Sequence, residues 1–565
     1  MMGKIAEKIP KSRAYLFLLA VLGIVMSVVT VAAVKAFGYL TDNMAKMGGD
    51  IWRLSLMTMG LFALQCILEY GYYAVQKKFT AHGVKSLTDA AAKRVALAEM
   101  MWINGAKGGD ITGRVQSELP ECAALLSETL PDAVLQLGRI ILFAAVIFAV
   151  DIRLALIFIG TIVCVIAVQT VASKPMQSCF KNSQARRAEA NSLAGEIIGQ
   201  RETVKVYNAH SVVLGWYSRL LKPWFDATVR AELTSSPLRT LGWVMGVAPT
   251  FILCISGAYM VQNGLIDFAA FMSVYFLADT ITNDCMHFVD IFIRYRRGKA
   301  AAERFFEILE APLENQNRGS TKNDKAAAVV FENVTFSYGQ GDVLKNLSFE
   351  IKKGEKVAFV GPSGCGKSTV LALVQGLYPC REGRVTVEGR NTADTGCDEL
   401  RENMALTPQS PFLFSDTLKN NVTLWKDGGD IKDIYEKSDV SSFLPDLESG
   451  ENTLLGEGGV SLSGGQKQRV AVARTLYKKA GIVLFDEATS ALDALSDKKI
   501  FKTVSALPDA TVIAVTHRLS NLESFDRIYV MDGGKIAEQG NHRELMDRKG
   551  LYFDLFHGRE EGQTA

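Results

Sequence analysis

Apolar positions are distributed along this chain in two different ways. In its first half they gather into six long runs, Ala14–Val34, Leu54–Val75, Leu130–Val150, Leu154–Ala172, Leu241–Val261 and Phe268–Ile293. A helix of about 21 residues, at about 1.5 Å rise, is about 32 Å long, enough for the hydrocarbon core of a bilayer. The pattern therefore predicts six membrane-spanning helices. They are not equally apolar. The second contains Glu69, and the sixth contains Asp279, Asp284, His287 and Asp290. Beyond residue 329 the apolar runs shorten to strand length and alternate with helix-like stretches.

The gaps between spans sort the two sides of the membrane. Only Asp151-Ile152-Arg153 separates the third span from the fourth, and a short turn around Gln262-Asn263-Gly264 the fifth from the sixth. The gaps 76–129 and 173–240 are long, charged and helical in pattern. Lys4, Lys8, Lys11 and Arg13 precede the first span, and the long gaps carry Lys77, Lys78, Lys93, Arg94, Arg186, Arg187, Arg201 and Lys205. The short gaps hold little beyond Lys35, Lys46, Arg53 and Arg153. Positive charge is retained on the cytoplasmic side. Both termini and both long gaps are thus expected in the cytoplasm, and the spans in the inner or plasma membrane. The long gaps turn near Trp102–Gly109 and near Tyr207–Val212. As residues alone they read either as helical arms carrying force to a soluble domain or as solvated hairpins.

A polar, Asn- and Lys-rich stretch from Pro312 to Lys325 follows an amphipathic helix that ends near Leu309. It sets the expected division: a membrane domain 1–312, a linker 313–328 and a soluble domain 329–565. In the last, strand-like runs at Val329–Tyr338, Leu347–Ile351, Lys356–Gly361, Arg384–Glu388, Ile482–Asp486 and Thr511–Val515 are interleaved with helices. That alternation predicts an α/β core with a largely parallel sheet.

Charge and cysteine content narrow the class. The formal net charge of 565 residues is +2, so no global field favours nucleic acid. The nine cysteines form no C-x-x-C pair, and none falls in the segments assigned outside, as a reducing cytosol allows. The first apolar run is too long for a signal sequence and lacks a cleavage site, so it is expected to be retained.

Candidate chemistry centres on Gly361-Pro362-Ser363-Gly364-Cys365-Gly366-Lys367-Ser368-Thr369, between a strand-like and a helix-like run. This is the setting of a Walker A phosphate loop. Its glycines let successive N–H groups point at phosphate oxygens, and the new helix adds its positive end. Lys367 reaches the terminal phosphates and the Ser368 hydroxyl sits on Mg²⁺. Cys365 lies beside the Lys367 charge, which favours thiolate, or is a small filler. Ile482–Glu487 is a buried strand ending in two acids, a Walker B pattern: Asp486 for Mg²⁺ and Glu487 for the attacking water. Leu462-Ser463-Gly464-Gly465-Gln466 precedes a helix and makes a second anion-binding start. His517 ends a strand; alone, it reads equally as a structural residue or a catalytic one.

In their order and spacing these motifs resemble the nucleotide-binding domain of ATP-binding-cassette transporters. Walker A is Gly361–Thr369, the signature Leu462–Gln466, Walker B Ile482–Asp486 with Glu487, and the D-loop Ser490-Ala491-Leu492-Asp493. On that resemblance Gln409, in Thr407-Pro408-Gln409, is the Q-loop residue, Tyr338 the adenine-stacking aromatic and His517 the switch histidine. The membrane half is similar to the six-helix exporter-type fold. Gly109-Asp110-Ile111-Thr112-Gly113-Arg114 resembles its first cytoplasmic loop, and Glu202-Thr203-Val204-Lys205 its second. The resemblance makes both turns coupling helices. No N-terminal peptidase domain is expected, and only one half of a transporter is encoded.

The resemblance implies ATP held by Tyr338, Gly361, Ser363, Gly364, Cys365, Gly366, Lys367, Ser368 and Thr369, with Mg²⁺ on Ser368, Gln409 and Asp486. Glu487, His517 and Gln409 carry catalysis. Ser463, Gly464, Gly465 and Gln466 serve the ATP held by a second half-transporter. Because Glu487 and the signature are both intact, a homodimer in membrane lipid is expected over a heterodimer with an unseen partner, exporting a small molecule, lipid or peptide by alternating access. Import of a metal-chelate or similar solute by the same fold, and a non-transporting ATP-gated channel or regulator, keep the same motifs. A soluble DNA-repair ATPase shares the cassette but lacks six spans, and no nucleic-acid partner is expected.

The acids within spans are the candidate substrate cavity. Charges there are costly and face an interior or a partner. Counted at about 1.5 Å per residue, Asp279 lies about 16 Å deep, Asp284 about 24 Å and Glu69 about 22 Å. A ring of acids doubled by a dimer favours cationic or amphipathic cationic solutes. The competing reading is a structural ion pair of Glu69 or Asp284 with Arg139. Asp279 has no apparent partner at its depth.

Overall fold

The computed structural model describes residues 2–46, 50–105, 108–316, 327–339, 341–426, 428–456, 459–487 and 494–563. They fall into two compact units, Met1–Ala92 with Ile111–Leu309, and Lys93–Asp110 with Glu310–Ala565. The division assigns the first long turn, Lys93–Asp110, to the second unit.

The first unit is helical. A short helix α1 (Met2–Lys8) leads into α2 (Ser12–Ala45) and α3 (Ile51–Ala96); α4 (Met100–Gly105), the turn that follows, belongs to the second unit. Then follow α5 (Gly108–Ala124), α6 (Leu130–Val150), α7 (Ile152–Gly199), α8 (Arg201–Val206), α9 (His210–Gln262) and α10 (Phe268–Leu309). Among the described residues Ser12–Met44, Ile51–Ala96 and Ile111–Val150 are long and apolar enough to cross a bilayer, and Ile152–Val165 and Gly246–Gln262 add shorter apolar segments. With 46 residues in α3 and 53 in α9, helices of about 69 and 80 Å outrun any bilayer core. The long gaps are therefore continuations of the spans, closed by the short helices α4 and α8.

Local chemistry explains the tight turn between α6 and α7. The Asp151 carboxylate accepts from the backbone N–H groups of Arg153 at 2.7 Å and Leu154 at 3.3 Å. One residue thus ends one helix and caps the next.

Ion pairs fix the register of α5 and α6 against the antiparallel α10. Arg114 meets Glu307 at 2.5 Å, Glu118 meets Arg304 at 3.0 Å and Glu121 meets Arg297 at 3.5 Å. Asp132 meets Arg294 at 3.2 Å, and Arg139 meets Asp284 at 3.2 Å. The sign changes hands along the series, with arginine on α5 or α6 at its two ends and on α10 between. A slip by one turn would set like charges together. Above this ladder Phe143 and Ile147 pack against Val274, Leu277, Ala278 and Ile281 in an apolar core.

The second unit is α/β. A six-stranded sheet has the order β10-β9-β3-β8-β7-β6, from β3 (Lys356–Val360), β6 (Met404–Thr407), β7 (Ile482–Asp486), β8 (Thr511–Val515), β9 (Arg527–Asp532) and β10 (Lys535–Gly540). All neighbours in it are parallel except β9 and β10. A second, antiparallel sheet orders β1 (Val329–Phe336), β2 (Leu344–Ile351), β4 (Glu382–Val387) and β5 (Arg390–Asn391) as β2-β1-β4-β5. Strand residues of the parallel sheet alternate between two cores. Ala358, Val360, Val483, Phe485, Val512 and Ala514 enter one, while Val357, Phe359, Ile482, Leu484, Ile513 and Val515 enter the other. Both faces are covered, which is why Ile-Val-Leu-Phe in β7 is apolar throughout.

Candidate functional site

Four motif-bearing strand ends lie side by side. In the order β3-β8-β7-β6 their carboxyl ends carry the phosphate loop, His517, Asp486 with Glu487, and Gln409. Ligands of open α/β sheets bind at such ends.

The phosphate loop is shaped by backbone that only glycine adopts readily. Gly361 has φ 149° and Gly366 has φ 102°. A Cβ on Gly361 would run into the Met531 carbonyl oxygen, and one on Gly366 would come within 2.6 Å of Leu344 Cδ2. Lys367, 5% exposed, opens α11 (Lys367–Val374) and donates to the carbonyls of Gly361 at 3.0 Å and Pro362 at 2.8 Å. Cys365 Sγ lies 3.8 Å from its Nζ, and Cys365 is buried. A phosphate oxygen entering the loop would find an ammonium already desolvated and held.

Ser368 Oγ donates to Asp486 Oδ1 at 2.8 Å. Burial pushes the Asp486 carboxyl above the ordinary carboxylate range; the Ser368 hydroxyl opposes that and the Glu487 charge adds to it. One hydroxyl and one carboxylate 2.8 Å apart are hard oxygen donors of the kind that fit Mg²⁺.

Glu487 is held from two sides. His517 Nε2 lies 2.6 Å from Oε1, and Gln409 Nε2 donates to Oε2 at 2.7 Å. Its backbone sits at φ 47°, a left-handed conformation uncommon for glutamate, tied by its N–H to the Val515 carbonyl at 2.9 Å. The structure thus brings Gln409, Glu487 and His517 together, beside Ser368 and Asp486.

Tyr338 is half-exposed and its hydroxyl donates to Thr369 Oγ1 at 3.4 Å, so the aromatic adjoins the loop. Ser463 caps helix Gly464–Lys478 in a reciprocal box with Gln466: its Oγ accepts from Gln466 N at 3.3 Å, and Gln466 Oε1 accepts from Ser463 N at 2.8 Å. Among the described residues neither is hydrogen-bonded to the phosphate loop. The D-loop Ser490–Asp493 and linker residues 317–326 lie outside the described residues. In the membrane unit Asp284 is buried against Arg139, whereas Glu69 and Asp279 are exposed. Asp279 Oδ2 meets Asn283 Nδ2 at 3.4 Å within its own helix. Sequence reasoning missed Tyr378, which belongs to no motif.

Comparison with known proteins places the chain. Residues 344–490 match the ABC transporter family model, and residues 16–282 the model of the ABC transporter transmembrane region. A protein of Haemophilus influenzae described as an ATP-dependent lipid A-core flippase is 30% identical over 466 residues, 79% of this chain and 78% of that one. One of the same description from Desulfotalea psychrophila is 28% identical over 549 residues, 94% of this chain and 95% of that one. The fold is also similar to a solved bacterial Atm1-family ABC exporter with ATP bound, at TM-score 0.80 and 24% identity, covering 97% of this chain and 100% of that one. The chain belongs to the ABC transporter family. It is an exporter-type half-transporter, a multi-pass membrane protein whose cassette binds and hydrolyses ATP to drive transport, and a second half-transporter completes it.

Proposed function

We propose that two copies of this chain form an exporter in the inner or plasma membrane, with both cassettes in the cytoplasm. The observation that carries this reading is the grip of Gln409 and His517 on Glu487 beside the Ser368–Asp486 pair. Tyr338 stacks on the adenine and the phosphate loop holds the phosphates. Ser368, Asp486 and Gln409 would hold Mg²⁺, which would supply neutralisation of phosphate charge. Glu487 accepts the proton of the attacking water, His517 contacts the γ-phosphate, and Gln409 relays its presence toward the coupling helices. Each site is completed by Ser463, Gly464, Gly465 and Gln466 of the second copy. Closure on ATP turns the membrane cavity outward, and hydrolysis resets it.

The exported solute is an amphipath taken up within the membrane domain. With Asp284 neutralised by Arg139, Glu69 and Asp279 are the acids left to face it, which favours a positively charged head. The test is MgATP-dependent uptake into inside-out vesicles, using cationic, zwitterionic and anionic amphipaths, the last including lipid A-like lipids. Uptake of the cationic probes supports the whole reading. Uptake confined to anionic lipids overturns the charge assignment but not export, and efflux of every transported probe overturns export.

A further inference from the structure

Tyr378 lies just past the end of α11, follows the turn at Gly376, and is 8% exposed. The Tyr338 and Tyr378 rings meet edge to face, with centroids 5.2 Å apart at 88°. Phe336 completes the triangle, 4.7 Å from Tyr338 and 5.7 Å from Tyr378. On its other side the Tyr378 hydroxyl accepts a hydrogen bond from Asn104 Nδ2 at 2.6 Å. Asn104 belongs to α4, the first cytoplasmic turn, so one side chain touches both the aromatic beside the phosphate loop and that turn.

A second set of bonds ties the same turn to the same end of α11. Glu99 N donates to the Pro312 carbonyl at 3.0 Å, and Glu314 N donates to the Leu97 carbonyl at 2.9 Å. The Glu314 carboxylate then grips Arg401 through two bonds of 2.8 and 2.9 Å, and Arg401 Nε donates to the Gln375 carbonyl at 2.9 Å. Met100, at the start of α4, packs against the core that contains Tyr378. The turn and the end of the phosphate-loop helix are thus held as one piece. Tyr378 is where that piece meets Tyr338, whose ring is half-exposed and needs lateral support to present a fixed face. Edge-to-face contact from two buried rings supplies that support.

We propose that Tyr378 is a positioning residue that fixes Tyr338 for the purine ring and passes occupancy of the purine site to α4 through Asn104. The base is then sensed by a route separate from Gln409, which sits beside Glu487 and Asp486. This rests on the reading of Tyr338 as the adenine platform.

The test uses the full chain in lipid nanodiscs, with Tyr338→Ala, Tyr378→Phe, Tyr378→Leu and Asn104→Ala. KM and kcat for MgATP are measured, together with amide exchange over residues 97–105. Exchange is compared without ligand, with a magnesium-bound non-hydrolysable ATP analogue and with magnesium tripolyphosphate, which lacks the base. In the parent the ATP analogue should slow exchange about threefold or more and tripolyphosphate should not. Tyr378→Phe and Asn104→Ala should lose that slowing while KM stays within about twofold. Tyr378→Leu, which removes the ring, should raise KM about fivefold with little change in kcat. Tyr378→Phe keeps the packing, so the proposal stays testable even where Tyr378→Leu fails to fold. Retention of the slowing in Tyr378→Phe, or equal slowing by tripolyphosphate, overturns the proposal. A parental KM in Tyr338→Ala overturns the adenine-platform reading instead.

Discussion

His517 Nε2 stands 2.6 Å from Glu487 Oε1, while Gln409 occupies the other carboxylate oxygen. A carboxylate gripped at both oxygens is oriented, and each oxygen keeps a lone pair that can accept from water. His517 follows β8, which lies between β3, the strand before the phosphate loop, and β7, the strand before Glu487.

The first prediction follows from the contact of His517 with Glu487. His517→Ala should lower kcat for ATP by about tenfold or more, because the base loses its orientation, while the Kd for ATP stays within about twofold. Equilibrium nucleotide binding and steady-state hydrolysis on one preparation check this. A parental kcat would return His517 to the role of a strand-end residue.

A second prediction concerns Arg139 and Asp284, paired at 3.2 Å where the membrane unit is packed. Arg139→Ala or Asp284→Ala alone leaves a buried charge and should cost about 3–5 kcal/mol. The swap Arg139→Asp with Asp284→Arg, or the apolar double Arg139→Met with Asp284→Leu, should recover much of it. Thermal unfolding of the detergent-solubilised variants measures this. Single variants as stable as the parent would show that the pair fixes nothing.

The third prediction separates a substrate-facing acid from a structural one. Asp279 is exposed and, among the described residues, meets Asn283 of its own helix, so Asp279→Asn should leave expression and basal ATPase near parental values. Stimulation of ATPase by cationic amphipaths should fall by about fivefold, as loss of one charge–charge contact in a partly hydrated cavity implies. Unchanged stimulation removes Asp279 from the solute's path.

Much of the nucleotide site was legible because its chemistry is carried by backbone and by strand ends. The glycines at 361 and 366 announce positive φ, and the two acids after Ile482–Phe485 announce the end of a buried strand. Their convergence was not written locally. That Gln409 meets Glu487 depends on β6 pairing with β7, and β6, only four residues long, carries no clear alternation. The same holds for β9 and β10, and for the antiparallel sheet, whose long-range pairings leave no spacing signal. In the membrane half, hydrophobic length marked Ser12–Met44, Ile51–Ala96 and Ile111–Val150, and Asp151 marked a turn. Which acid Arg139 would choose was undecidable from depth alone, since Glu69 and Asp284 stand level; the antiparallel register of α6 and α10 decides it.

A fourth prediction tests whether each hydrolytic site is shared between two copies. Glu487→Gln and Ser463→Arg should each abolish hydrolysis when every copy carries the change. Co-assembled from equal amounts, half of the dimers are mixed and each has one site with sound parts from both chains, so about a quarter of parental sites should return. Recovery of none would mean that each site draws on a single chain. A chain that stays monomeric and inactive until a different gene product is added would overturn the homodimer.

The central claim, that Glu487 is the base for ATP hydrolysis in this cassette, is tested most directly by Glu487→Gln in the purified, reconstituted chain. ATP should bind with near-parental affinity, and turnover should fall by about a hundredfold or more, since general-base catalysis is typically worth about 10²–10⁴-fold. Near-parental hydrolysis by that variant would contradict the account.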